Sequence, residues 1–172
     1  MATWVDHRTL VTASPDSTVC IWSIEDTASS LVDLELKSGL FGHRQPVNLV
    51  VAGSTLSTLL TCASGEVFLW DLNTYELLRK LDVDFEVEYA HINHSNGHIL
   101  LCNGDWATIW TINGHLLVRQ IVCDGEVDDH ISCCSFYEST KNEWIGGEYV
   151  LTGHTKGIAK VCDEADRIQL SA

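Results

Sequence analysis

Apolar residues in this chain fall into short runs, roughly five to eight residues long, each bounded by Gly, Ser, Asn or Asp. The runs are rich in Val, Ile, Leu, Thr and Trp, and no helical periodicity separates them, so they read as β-strands. They also repeat. "TLVTAS" at Thr9 to Ser14 returns as "TLLTCA" from Thr58, "HILLCN" from His98 and "YVLTGH" from Tyr149. Each copy is followed by a second run: "VCIWSI", "VFLWDL", "ATIWTI" and "IAKVCD". Trp22, Trp70 and Trp110 stand in register, and Cys162 takes the equivalent place in the fourth copy. Every copy has room for two further strands: 2–6 and 31–37, 47–53 and 77–83, 85–92 and 115–122, 131–137 and 167–171.

Four short strands per repeat is the pattern of a β-propeller blade. In "VFLWDL" both alternating faces are apolar, with Val67 and Leu69 on one and Phe68, Trp70 and Leu72 on the other. A strand with two apolar faces needs cover on both sides, whereas a sheet with one wet face would alternate. Asn113-Gly114 predicts a two-residue hairpin between the third and fourth strands of its repeat. The fold expected is all-β: a propeller of about four four-stranded antiparallel blades over residues 1–172, with blades at about 1–38, 46–83, 85–122 and 131–171. Four blades are few for a closed ring, so the ring is expected to be incomplete or open. Its bare ends call for the remaining blades of a larger propeller or for self-association.

Charge narrows the function. A net charge of -14 excludes nucleic acid as a partner and disfavours direct contact with anionic membranes. It favours other proteins, met through basic surfaces; the alternative is that the acid simply keeps the chain soluble. The seven cysteines are odd in number and no signal peptide opens the chain, which points to a reducing cytoplasmic compartment. Cys20, Cys62, Cys102, Cys133 and Cys134 lie in apolar runs and are expected to pack as small hydrophobes. Charged or polar residues interrupt every apolar run before it reaches a membrane span, so no direct membrane insertion is expected.

"SPDSTVCIWSIED", "GEVFLWDLN" and "DWATIWTING", together with the Gly42-His43 pair of "LFGHRQPV", resemble WD40 repeats. The last repeat, "ISCCSFYESTKNEWIGGEYVLTGHTKGIAKV", is similar to the closing WD40 repeats of BEACH-domain (beige and neurobeachin-like) proteins. The WD40 resemblance implies a structural network in each blade. An Asp in the turn between the second and third strands holds a His placed before the first strand, and a hydroxyl links that His to the Trp. It implies structural roles for Asp16, Trp22, Gly42, His43, Trp70, Asp71, Asp105 and Trp110. The copies depart from the pattern: Ser64-Gly65 stands where the second blade would carry its turn Asp, and the fourth has Lys156 there and Cys162 for Trp. Gly114-His115 and Gly153-His154 do not occupy the family's Gly-His position. No blade is expected to hold the complete network, which predicts loose blades.

The candidate binding residues are acidic. Asp82, Asp84, Glu86 and Glu88 form one cluster and Asp124, Glu126, Asp128 and Asp129 another, both beside connections between blades. On one rim of a propeller they would attract a basic peptide; the alternative is a solvated edge. Neither cluster has the spacing of a calcium loop. Trp144, in the long "ESTKNEWIGG" connection, is either a partner anchor or folded under its own blade. His91, His94 and His98 lie about a hairpin without a cysteine pair of zinc spacing, and Cys133-Cys134 point to opposite faces of a strand. No phosphate loop, nucleophile elbow or H-E-x-x-H motif occurs, so no catalytic residue, metal or cofactor is assigned. The expected function is a non-catalytic protein-interaction scaffold. The BEACH resemblance implies a role in vesicle, lysosome or vacuole traffic or autophagy, in the cytoplasm and at endomembranes through partners. The alternatives are an enzyme on a propeller scaffold using rim carboxylates, or a degenerate fragment with no independent role.

Overall fold

A computed structural model describes residues 1–26, 32–123, 128–137 and 149–163. The described residues form antiparallel sheets of consecutive strands and contain no α-helix, only a single 3₁₀ turn at Ser54–Leu56. The chain divides into two compact units, Met1–Glu86 and Val87–Ala172, each built on two sheets.

In the first unit, β1 (Ala2–Trp4), β2 (Thr9–Ala13), β3 (Val19–Asp26) and β4 (Val32–Leu40) form one sheet in that order. The strands β5 (Val47–Gly53), β6 (Thr58–Ala63), β7 (Glu66–Asp71) and β8 (Leu77–Leu81) form the next. Val11, Val19 and Ile21 of the first sheet pack with Val50, Leu59, Phe68 and Trp70 of the second into one core. In the second unit, β9 (Tyr89–Ile92), β10 (Ile99–Cys102), β11 (Trp106–Trp110) and β12 (Leu116–Ile121) make the third sheet. β13 (Ile131–Tyr137), β14 (Tyr149–His154) and β15 (Ala159–Asp163) make the fourth. Leu100, Ala107 and Ile109 pack there against Val122, Ile131, Phe136 and Val150. These are four blades, with the strand expected over 167–171 lying outside the described residues.

The two-sided strands expected from "VFLWDL" are present. Every residue of β6 and β10 is buried, and so are the inner four of β7. The outer strands β8 and β12 are mostly exposed. In the first and fourth blades the second strand alternates instead, with Leu151 of β14 exposed between buried Val150 and Thr152, as one covered face requires. The repeat extends to its irregularities: pairing of the third with the fourth strand slips just before each Trp, between Ile21 and Trp22, Leu69 and Trp70, and Ile109 and Trp110.

Three expectations change. Asn113-Gly114 does not form a two-residue turn with both residues at positive φ: Gly114 alone is left-handed, at φ 82°, and the loop closes through Thr111 N–H to His115 O at 2.8 Å. The same loop joins His154 to Ile158 with Gly157 at φ 79°, and Ser14 to Thr18 with Ser17 at φ 72°. The third blade begins at Tyr89 rather than Phe85, because Val83 and Val87 turn inward from a connection whose acids stay in water. Cys133 is exposed, and Cys20 and Cys134 are half-buried; among the cysteines of apolar runs, Cys62 and Cys102 pack as core residues.

Candidate functional site

Each Trp of the repeat is held by a threonine. Trp22 Nε1–H donates to Thr12 Oγ1 at 2.8 Å and Trp70 Nε1–H to Thr61 Oγ1 at 2.9 Å, in each case across the sheet from the second strand. In the third blade Leu101 occupies that second-strand position, and its register partner Thr108 supplies the hydroxyl instead, at 3.0 Å from Trp110 Nε1. Thr108 then spends its own hydrogen on the Leu101 carbonyl at 3.1 Å.

The second blade carries the complete network, against the expectation that none would. Thr61 Oγ1 accepts the indole hydrogen and donates to His43 Nε2 at 2.6 Å. His43 Nδ1 lies 3.3 Å from Glu66 Oε2, which also accepts the Arg44 N–H at 2.8 Å. Glu66, opening β7, does from the next position what the missing turn Asp would do. Its length bridges the extra distance past Ser64-Gly65. Burial holds the His43 imidazole below its ordinary pKa, partly offset by Glu66. Burial would raise Glu66, but the Arg44 N–H and His43 outweigh it and hold the carboxyl low. The pair is therefore a neutral imidazole donating to a carboxylate, not an ion pair. Gly42 completes the fit, since a Cβ there would lie 3.3 Å from Phe68, on whose ring His43 stacks at 4.2 Å.

Asp16 does not take part in such a network. It is exposed and turns back on its own loop, accepting the Thr18 N–H at 3.0 Å and the Thr18 hydroxyl, bonds that hold its carboxyl below the usual range. Asp16→Ala is accordingly expected to move the melting midpoint by no more than about 2 °C in a thermal denaturation, the behaviour of a surface turn residue. Asp71 is a turn cap as well, accepting the Asn73 N–H at 2.6 Å where β7 hands over to β8.

The acidic residues divide. Asp82, Asp84 and Glu86 are exposed on the connection after β8, and Asp128 is exposed with a left-handed φ of 72°. Asp129 is not on the surface: it is 5% exposed, with Oδ2 3.0 Å from the buried His154 Nδ1. Val122 and Ile131, which precede and follow it in the chain, are both buried in the apolar core of this unit. Asp124, Glu126 and Trp144 lie outside the described residues. The second unit contains an open cleft of about 510 Å³ lined by Glu88, Tyr89, Asp105, Trp106, His130 and Thr155 among others. Asp105 Oδ1 is 3.3 Å from His130 Nδ1, both side chains more than half exposed, so Asp105 serves this cleft and not Trp110. Trp106 is flanked by the Arg119 guanidinium 4.8 Å from its ring. Sequence reasoning placed Glu88 among the acids but missed that the turn at Asn103–Asp105 and the residue before β13 converge on it. Their separation along the chain hides the contact.

No family model matches the chain. The antiparallel sheets of consecutive strands, three of four strands and one of three among the described residues, and the repeated Trp–Thr clasp define a WD40-type β-propeller chain, and the WD40 β-propeller domain of Doa1, a crystal structure, superposes with a TM-score of 0.67 at 18% identity, covering 94% of this chain and 49% of that one. Over nearly its whole length the chain is similar to BEACH-domain proteins. It is 28% identical to Beige protein homolog 1 of Schizosaccharomyces pombe over 97% of its residues, and 28% identical to human WD repeat- and FYVE domain-containing protein 4 over 92%. It spans 6% and 5% of the length of those two relatives.

Proposed function

We propose that this chain is a non-catalytic docking module, the WD40 blades of a BEACH-type protein that works in vesicle, lysosome or vacuole traffic or in autophagy. It acts in the cytoplasm and reaches endomembranes through the proteins it binds. The cleft between β9, the turn after β10 and the start of β13 carries this reading. It offers the Glu88 and Asp105 carboxylates beside the Tyr89 and Trp106 rings on a strand framework. Carboxylate and aromatic surface together suit the long cationic side chains of a basic segment, by ion pairing and by stacking. The overall charge of -14 would speed the encounter.

The test is affinity capture from a cytosolic extract on the immobilised chain, repeated with a Glu88→Lys/Asp105→Lys variant. A partner retained by the wild-type chain should bind the double variant roughly tenfold or more weakly, while the melting temperature is unchanged. Absence of any captured protein, or capture that ignores both charge reversals, would overturn the docking role. Captured proteins unrelated to membrane traffic would overturn the pathway alone.

A further inference from the structure

The fourth blade lacks the indole clasp, having Cys162 where the others have Trp. A different arrangement lies beside it. Cys123 just beyond β12, Asp129 before β13 and His154 at the end of β14 each have 5% of their surface exposed, and their donor atoms all lie within 4.8 Å of one another. We propose that Cys123, Asp129 and His154 form a binding site for a divalent transition-metal ion of the zinc class.

Geometry separates this from two other readings. In a nucleophilic triad the thiol and the carboxylate address opposite nitrogens of the imidazole, so that a proton can pass through the ring. Here both address Nδ1, Cys123 Sγ at 3.6 Å and Asp129 Oδ2 at 3.0 Å. The three atoms converge on one point and relay nothing. A purely structural Asp–His–Thr clasp, with the Cys123 thiol donating to Gly104 O at 3.4 Å, would account for His154 and the thiol but not for Asp129 Oδ1, a buried oxygen with no hydrogen-bond partner.

An ion bound by Asp129 through Oδ1, or through both carboxylate oxygens, gives that atom a partner and gathers the thiol and the imidazole as well. Tetrahedral zinc with its sulfur at about 2.3 Å and its nitrogen at about 2.05 Å sets those two ligands about 3.6 Å apart, the distance found here. The second nitrogen of His154 is held at 3.1 Å by the buried Thr152 hydroxyl, which orients the ring as second partners of metal-bound histidines do. One thiolate and one carboxylate balance a divalent charge, and the mixed sulfur, nitrogen and oxygen donors suit zinc better than calcium or magnesium. Lys160 is buried beside the site, with its ammonium 2.6 Å from the Val122 carbonyl. The segments are pinned independently of any ion: Ile131 N–H donates to Gly104 O at 2.8 Å and Thr155 N–H to His130 O at 2.9 Å. On binding, the Cys123 proton leaves to solvent, the His154 ring proton sits on Nε2 facing Thr152, and water fills the fourth position.

The experiment is an anaerobic titration of the reduced 172-residue chain with Co²⁺, followed by displacement with Zn²⁺. Expected are the visible bands of four-coordinate cobalt and a near-ultraviolet thiolate-to-cobalt band, saturating at one equivalent and erased by zinc. Cys123→Ser should remove the thiolate band, Asp129→Asn should weaken binding on the order of tenfold or more, and Cys133→Ser should change neither. Zinc should also raise the wild-type melting temperature and a chelator reverse it, a readout that stands if Cys123→Ser fails to fold. No thiolate band in the wild type, a band lost with Cys133 instead of Cys123, or a melting temperature indifferent to zinc would overturn the site.

Discussion

Thr61→Val is expected to lower stability by about 2–4 kcal/mol and the melting midpoint by on the order of 10 °C. Valine keeps the shape of threonine, so packing is nearly unchanged and the loss reports hydrogen bonds. Thr61 is fully buried, and its hydroxyl serves two groups at once, the indole N–H of Trp70 and Nε2 of His43. Without it both are stranded inside the sheet, each at a penalty of about 1–3 kcal/mol. His43 also loses the contact that fixes its tautomer, which loosens its bond to Glu66. Thr12→Val in the first blade is the internal comparison. Thr12 is only half-buried, it binds Trp22, and no imidazole bond to it is found among the described residues, so about 1 kcal/mol is expected. Urea denaturation of the two variants measures the difference directly. Equal losses would mean that the second blade's network is no stronger than a single bond.

A second large effect is expected at two adjacent positions. Leu100→Ala and Leu101→Ala should each cost about 2–5 kcal/mol, by lost burial and by the cavity left behind. Adjacent residues of a strand point to opposite faces, so a sheet with one wet face would forgive one of the two. Both are 0% exposed here, Leu100 within the core it shares with Ile131 and Phe136. Leu151→Ala on the fourth blade is the contrast: it is 36% exposed, and should cost well under the other two.

Much of this was legible from periodicity alone. The recurring runs "TLVTAS", "TLLTCA", "HILLCN" and "YVLTGH", with Trp22, Trp70, Trp110 and Cys162 in register after them, located the second and third strands of each blade to within a residue or two, because short apolar strands leave a dense local signal. The networks were harder to read, because a hydroxyl or a carboxylate can be supplied from a neighbouring position. Glu66 replaces a turn Asp from one residue further along. Thr108 replaces a second-strand threonine from across the ladder, where Leu101 stands. A pattern that demands a residue type at one fixed place scores both as losses, although the same bonds are made. Asp129 escaped for a different reason. In sequence it is one acid in a run of acids, and only the fold shows that the chain turns it inward against His154 while Asp128 stays in water. The cleft at Glu88, Asp105 and His130 was invisible for the reason most sites are, since its parts come from three separate connections.

Hydrogen exchange of the backbone amides tests the architecture on which the docking cleft depends. If each blade is a four-stranded sheet covered on its inner strands, the amides of Leu59–Cys62 and Ile99–Cys102 should exchange slowest, near the rate of global unfolding, with β8 and β12 exchanging well ahead of them. Protection spread evenly over β6, β8, β10 and β12, or strongest in the outer strands, would contradict it.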